Sequence, residues 1–143
     1  YEAQAAIELE AIAAGEPLDG PVADGWDAVI TVGEDGCAVL DPSPLVALVV
    51  AERDRGTPVP EVAAAFHAGL GRSVAAMAKE LAKAAGVGTV ALSGGVFQNA
   101  RLTEIVERTL TASGVEVLVH SRVPPNDGGV SIGQAAVAAR WQG

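Results

Sequence analysis

Two apolar or proline-stiffened stretches in the second half of the chain each run straight into a glycine pair and then into a helical pattern. Thr89-Val90-Ala91-Leu92 leads into Ser93-Gly94-Gly95-Val96-Phe97-Gln98-Asn99, and Val123-Pro124-Pro125 leads into Asn126-Asp127-Gly128-Gly129-Val130. With a further apolar run from Val115 to Val119, the order is strand, helix, strand, helix. Such alternation predicts a parallel pair joined by a right-handed crossover. Each glycine turn would bring backbone N–H groups and a helix N-terminus to whatever binds there, an arrangement suited to phosphate or another anion.

The first half supplies the covering layers. Tyr1 to Ala14, rich in Ala, Glu and Leu, predicts a helix closed by Gly15, and Gly15 to Gly25, with Pro17, Gly20 and Pro21, predicts a loop. Trp26–Val32 and Cys37–Asp41 flank Gly33-Glu34-Asp35-Gly36, the pattern of a β-hairpin. Asp41-Pro42-Ser43-Pro44 offers a start for a helix to about Arg55, broken by Gly56 and Pro58. A longer helix follows from Pro60, with Val62, Phe66, Leu70, Val74, Met77 and Leu81 as its apolar stripe. The helix from about Gln98 to Ser113 should bury Leu102, Ile105, Val106 and Leu110, and a closing helix runs from Val130 to Trp141. The fold class expected is α/β: a mixed sheet, with the hairpin as its antiparallel edge, flanked by helices.

Composition narrows the class further. The 143 residues make one domain, and half are hydrophobic while only 3% are aromatic, so Ala, Val, Leu and Ile must build the core. Eighteen acidic against nine basic residues give a formal charge of −9, which disfavours a nucleic-acid partner. A single cysteine, Cys37, excludes an intrachain disulfide and fits a reducing, cytoplasmic compartment; its position predicts an ordinary half-buried thiol. No apolar run is long enough to span a bilayer, no signal peptide is evident, and the start at Tyr1 inside a helical pattern predicts a piece of a larger polypeptide.

Read as chemistry, Asp127 has two roles open to it. A carboxylate at the mouth of a helix beside two glycines is a hard oxygen ligand for a divalent cation, and equally a helix N-cap. Gly94 and Gly95 can expose amides to a phosphate or ribose, and Asn99 can hydrogen-bond a sugar or base; a plain connecting turn with a polar helix start is the alternative. His67, beside Phe66 on the long helix, predicts a packed neutral imidazole, whereas His120 could reach the Asp127 loop. There is no HxxxH pair, no Gly-x-Ser-x-Gly and no Walker lysine, and no catalytic residue is assignable within these 143 residues.

Taken whole, Ser-Gly-Gly-Val-Phe-Gln-Asn and Pro-Pro-Asn-Asp-Gly-Gly followed by Ile-Gly-Gln-Ala resemble the end of the HypF family of hydrogenase-maturation carbamoyltransferases. Tyr1-Glu2-Ala3-Gln4-Ala5-Ala6, Glu8-Leu9-Glu10 and Phe66-His67 resemble it too, in the right order. The resemblance implies a ribonuclease-H-like lobe of the actin-like, sugar-kinase-like ATPase superfamily. It implies binding of ATP or carbamoyl-adenylate by Gln4, Ser93, Gly94, Gly95, Asn99 and Gly128, and a divalent metal on Asp127 whose histidine ligands belong to a preceding lobe. Ala3 stands where relatives have glycine. The implied reaction carries the carbamoyl group of carbamoyl phosphate, by way of carbamoyl-adenylate, to a C-terminal cysteine of a HypE-like acceptor. An O-carbamoyltransferase of secondary metabolism and a tRNA threonylcarbamoyl transferase belong to the same superfamily. For the isolated chain, an inactive interaction module or homodimer is the alternative.

Overall fold

Small residues, not large ones, make up most of the buried face of the longest helix. The computed structural model describes residues 3–20 and 25–141; the expected helix start at Tyr1 and Glu2 and the loop proline Pro21 lie outside the described residues. The longest element, α3 (Val59–Ala85), buries Ala63, Ala64, Ala65, Ala68, Gly69, Gly71, Ser73 and Ala75. Of the large-residue stripe read from the sequence, only Val62 is fully buried, and Leu81 is exposed. Close approach explains the reversal. A Cβ on Gly69 would lie 2.3 Å from the Trp26 carbonyl oxygen, and one on Gly71 would lie 2.5 Å from Ile105 Cγ2. The glycine and alanine face therefore lets neighbours dock on the backbone, and the larger side chains fill the flanks.

Around α3 pack α1 (Gln4–Ala13), α2 (Ser43–Arg55) and α4 (Ala100–Ala112). Leu102, Ile105, Val106 and Leu110 of α4 are buried as their spacing requires. Leu102, Val106 and Leu110 meet Ala75 and Leu92 in one core cluster, while Trp26, Leu45, Val62 and Ala65 form a second. The expected glycine cap of α1 is absent. Ala14, in right-handed geometry, takes that place, and Gly15 has no positive φ. Gly56 does close α2 in left-handed geometry, with φ 83°.

The strands fall into two sheets. The hairpin pairs β1 (Val29–Val32) with β2 (Ala38–Asp41), Val29 opposite Asp41, and β3 (Thr89–Ala91) runs parallel to β4 (Glu116–Leu118), Thr89 opposite Glu116. The α/β class thus holds, but the single mixed sheet is replaced by two two-stranded sheets among the described residues. The hairpin is rooted on α3 instead of on β3. Ala28 N–H donates to Ser73 Oγ at 2.9 Å, and that hydroxyl donates to the Gly69 carbonyl at 2.8 Å. Cys37, beside the hairpin turn, is exposed, not half-buried. Nor is the β4 segment covered on both sides: Leu118 and Val119 are exposed. The closing helix α5 (Val130–Arg140) buries none of its residues within the chain. No helix among the described residues is long and apolar enough to cross a membrane.

Candidate functional site

Both glycine turns emerge from the C-terminal ends of the parallel strands and are tied together there. Leu92 N–H continues the ladder to the Leu118 carbonyl at 2.9 Å, and Gly94 N–H then donates to the Pro125 carbonyl at 2.7 Å. His120 Nε2 lies 3.1 Å from Ser93 Oγ, so its hydrogen bond goes to the first turn and not to the Asp127 loop that the sequence suggested. Gly94 has φ 100°, a backbone that side-chain-bearing residues rarely adopt. The chain then winds into a 3-10 turn, Gly95–Gln98, in which Phe97 N–H bonds the Gly94 carbonyl. At the head of that turn the Gly95 and Val96 amides have no acceptor among the described residues, and a Cβ on Gly95 would meet nothing within 4 Å. Two adjacent amides without an acceptor are the donors an anion needs.

The second turn departs from its sequence reading at one atom. Asn126, not Asp127, is the cap: its Oδ1 accepts from Gly128 N–H at 3.0 Å. The amide oxygen sits one residue earlier than the sequence suggested because residues 127–129 already form a 3-10 turn. Gly128 thereby spends its N–H within the loop. Gly129 is required by close approach, since a Cβ there would lie 2.6 Å from the Pro124 carbonyl. Asp127 is exposed, and among the described residues its carboxylate has neither hydrogen bond nor ion pair. No group of three His, Cys, Asp or Glu residues that could hold a metal occurs among the described residues. The chemistry of the donors present therefore suits one carboxylate ligand of a cation site, not a complete one.

Beneath the first turn lies a cavity of about 460 Å³, between α1, α3 and the start of α4. Ala3, Glu10, His67, Gly95, Val96 and Asn99 line it with apolar neighbours. Two expected ligand residues, Gly95 and Asn99, are thus brought together here. Gln4 is not part of the lining; its Nε2 donates to Glu8 Oε1 at 2.7 Å on an exposed face. Ala3, in the place of the family glycine, takes a left-handed φ of 61°, the conformation glycine adopts at no steric cost.

The polar floor of this cavity joins Asn99 and His67, which the sequence named singly, to Glu10 and Arg101, to which it gave no role. Asn99 Oδ1 accepts from Leu102 N–H at 2.8 Å, capping α4, and its Nδ2 lies 3.1 Å from His67 Nε2. His67 is buried, with Nδ1 2.8 Å from the Ala63 carbonyl. Burial, then the nearby Arg101 charge, hold its pKa below the ordinary 6.5 against the Ala63 bond and Glu10, so it is the neutral packed imidazole that its position predicted. From α1, Glu10 Oε1 accepts from Ala100 N–H at 2.7 Å and Arg101 N–H at 3.2 Å, a second cap on α4. Arg101 reaches back the other way. Its guanidinium donates to the carbonyls of Ala13 at 2.9 Å and Glu16 at 3.0 Å, and also to that of Pro17. These bonds add a donor at the Ala13 carbonyl, which also accepts from Glu16 N–H, and tie the segment beyond α1, where no glycine cap exists, to α4. The only sequence signal was an unusual placement: an arginine in the first turn of a helix, where the dipole disfavours it.

Comparison with known proteins places these features in a family. Residues 1–134 match the family model described as carbamoyltransferase, Kae1-like domain, second subdomain. The carbamoyltransferase HypF of Rhodobacter capsulatus is 41% identical over 97% of this chain, which spans 16% of that relative. A HypF homolog of Cupriavidus necator is 39% identical over 97% of the chain and 35% of its own length. Among solved structures, full-length HypF in a phosphate- and nucleotide-bound form superposes with a TM-score of 0.82 at 34% identity, over 96% of this chain and 17% of that one. HypF from T. kodakarensis gives a TM-score of 0.75 at 27% identity, with 96% and 17% covered.

Proposed function

The chain belongs to the HypF carbamoyltransferase family, as the second subdomain of its Kae1-like domain, and on that premise we propose that it is the nucleotide-holding lobe of a larger carbamoyltransferase. The reaction we assign to the whole protein uses carbamoyl phosphate and ATP to make carbamoyl-adenylate, then passes the carbamoyl group to the C-terminal cysteine of a HypE-like acceptor in the cytoplasm during hydrogenase maturation. The thiolate sulfur forms the new bond to the carbamoyl carbon, and the bond from that carbon to the adenylate phosphate oxygen breaks, releasing AMP.

The observation that carries the reading is the bond from Gly94 N–H to the Pro125 carbonyl, which ties the two glycine turns into one surface. In that surface the amides of Gly95 and Val96 hold the phosphate, Ser93 and His120 flank it, and Asp127 contributes one carboxylate to a divalent cation completed by histidines of the preceding lobe. Such a cation supplies charge neutralisation at the leaving phosphate. The lobe's own work is to orient the adenylate so that the acyl carbon faces the incoming sulfur. The crystal form of full-length HypF that carries phosphate and nucleotide supports a nucleotide in this family.

Gly95→Val in the full-length protein tests the reading. Its side chain would enter open space, so the melting temperature should hold while affinity for a nucleotide analogue falls by about tenfold or more. Isothermal titration beside a thermal melt measures both. Unchanged affinity would leave the first turn a mere connection.

A further inference from the structure

Four hydrogen-bonded residues under the first turn admit only one protonation state. Leu102 N–H is a donor, so the Asn99 atom facing it must be the carbonyl oxygen. The Asn99 atom facing His67 is therefore the amide nitrogen, also a donor, and His67 Nε2 must present a lone pair to it. The Ala63 carbonyl is an acceptor, so Nδ1 must carry the hydrogen. The chain closes only on the neutral Nδ1–H tautomer.

We propose that His67 is a positioning residue for the nucleotide site: its Nε2 lone pair holds Asn99, and through it the start of α4 and the Gly94–Gly95 turn, and a proton on that nitrogen releases the turn. The proposal rests on the nucleotide reading above. A protonated ring sets N–H against N–H at Asn99. Turning the Asn99 amide over relieves that clash only by setting its NH2 against Leu102 N–H, which undoes the cap. Either way the helix start loses a partner. The turn is then loosened at its C-terminal end, because Asn99 N–H closes it on the Val96 carbonyl and Thr103 Oγ1 spans the Phe97 and Asn99 carbonyls at 3.0 and 2.8 Å.

The charges facing His67 come from two packed helices. Arg101 of α4 opposes a proton on the ring, while Glu10 of α1 favours one, although the Glu10 carboxylate already serves the Ala100 and Arg101 amides. Burial adds to Arg101, so the neutral ring persists to below the ordinary histidine value of 6.5. The sign follows: the turn is ordered at neutral pH and is released as pH falls through the lowered value. His67, Asn99 and Gly95 line the same cavity, so the release occurs within its lining.

The test uses the full-length protein, with ADP as the probe. Affinity is titrated between about pH 7.5 and about pH 5, together with amide-exchange protection of the peptide 95–103, corrected for intrinsic rates. Acidification should weaken ADP binding by about tenfold and lower protection of that peptide, while peptides in the buried half of α4 stay protected. His67→Leu should bind weakly at neutral pH. His67→Gln, whose amide oxygen offers a lone pair that does not titrate, should recover most of that loss and flatten both pH profiles. Equal pH dependence in the parent and in His67→Gln would overturn the proposal. If the parent binds no ADP at any pH, the nucleotide reading fails instead, and exchange alone decides. Acid-lowered protection in the parent but not in His67→Gln then upholds His67's hold on the turn, and identical profiles refute it.

Discussion

The turn at residues 93–99 is braced from three helices, whereas the turn at 126–129 is braced mainly by its own loop. Glu10 from α1, His67 from α3 and Thr103 from α4 all bond to residues 97–101, and Asn99 links them. The second turn has the Asn126 cap and the single tie from Gly94, and it leads into α5, which buries nothing within the chain. A glycine pair after a strand thus marks both places equally in sequence, while the support beneath each is a tertiary property. The difference also divides the chemistry. In the first turn the Asn99 side chain is consumed by the fold, and the Gly95 and Val96 amides are left without an acceptor among the described residues. In the second the cap is met by Asn126, and the Asp127 carboxylate stays uncommitted.

The largest effect that would break this comparison lies at Arg101. Removing its guanidinium leaves the Glu16 carbonyl without a donor and takes the second donor from the Ala13 and Pro17 carbonyls, which keep Glu16 N–H and Gly20 N–H, so losing three charge-assisted bonds in Arg101→Met should cost about 3 kcal/mol in denaturant unfolding. A cost below about 1 kcal/mol would mean that water replaces the arginine and that α1 is not latched to α4 in this way. Smaller, but more discriminating, is the pair Asn99→Ala and Asn126→Ala. The first removes a cap and strands a buried imidazole nitrogen, about 2 kcal/mol in all, while the second removes an exposed cap worth about 0.5 kcal/mol. Equal costs, or the reverse order, would show that the two turns are supported alike.

Local patterns made most of the elements legible. The apolar spacing of α4 named four of its five buried residues, all but Arg101, and Gly33 to Gly36 named the hairpin turn. The signals that failed were those decided by contact between distant segments. On α3 a period of three to four picks out large residues, but the docking of Trp26 and Ile105 at Gly69 and Gly71 made small residues the buried face. The hairpin was read as a sheet edge, yet Ser73, more than forty residues along the chain, claims Ala28 N–H for α3. At the candidate site, sequence singled out Gln4, Ser93, Gly94, Gly95, Asn99, Asp127 and Gly128, and the structure joins the two loops that carry all of them but Gln4, which bonds Glu8 on an exposed face of α1. Glu10 was legible only as part of a family-like segment and Arg101 not at all, because a carboxylate and a guanidinium on helices look like solvated charges until the helix ends they serve are brought to them. Ala3 is the reverse case. Its departure from the family glycine was legible, and the left-handed backbone there gives the departure a physical meaning.

The central claim is that the second turn supplies charge to a cation while the first supplies amides to a phosphate. Asp127→Asn in the full-length protein isolates the charge, since the cap belongs to Asn126 and is left untouched. Nucleotide affinity and single-turnover carbamoyl transfer would be measured across a titration of divalent cation, with Mg²⁺, Mn²⁺ and Fe²⁺ each tried, beside a thermal melt. The account predicts an unchanged melting temperature, loss of most cation-dependent transfer, and nucleotide affinity that no longer responds to the cation. Transfer at the parent's rate and with the parent's cation dependence would contradict it, and would remove Asp127 from the site.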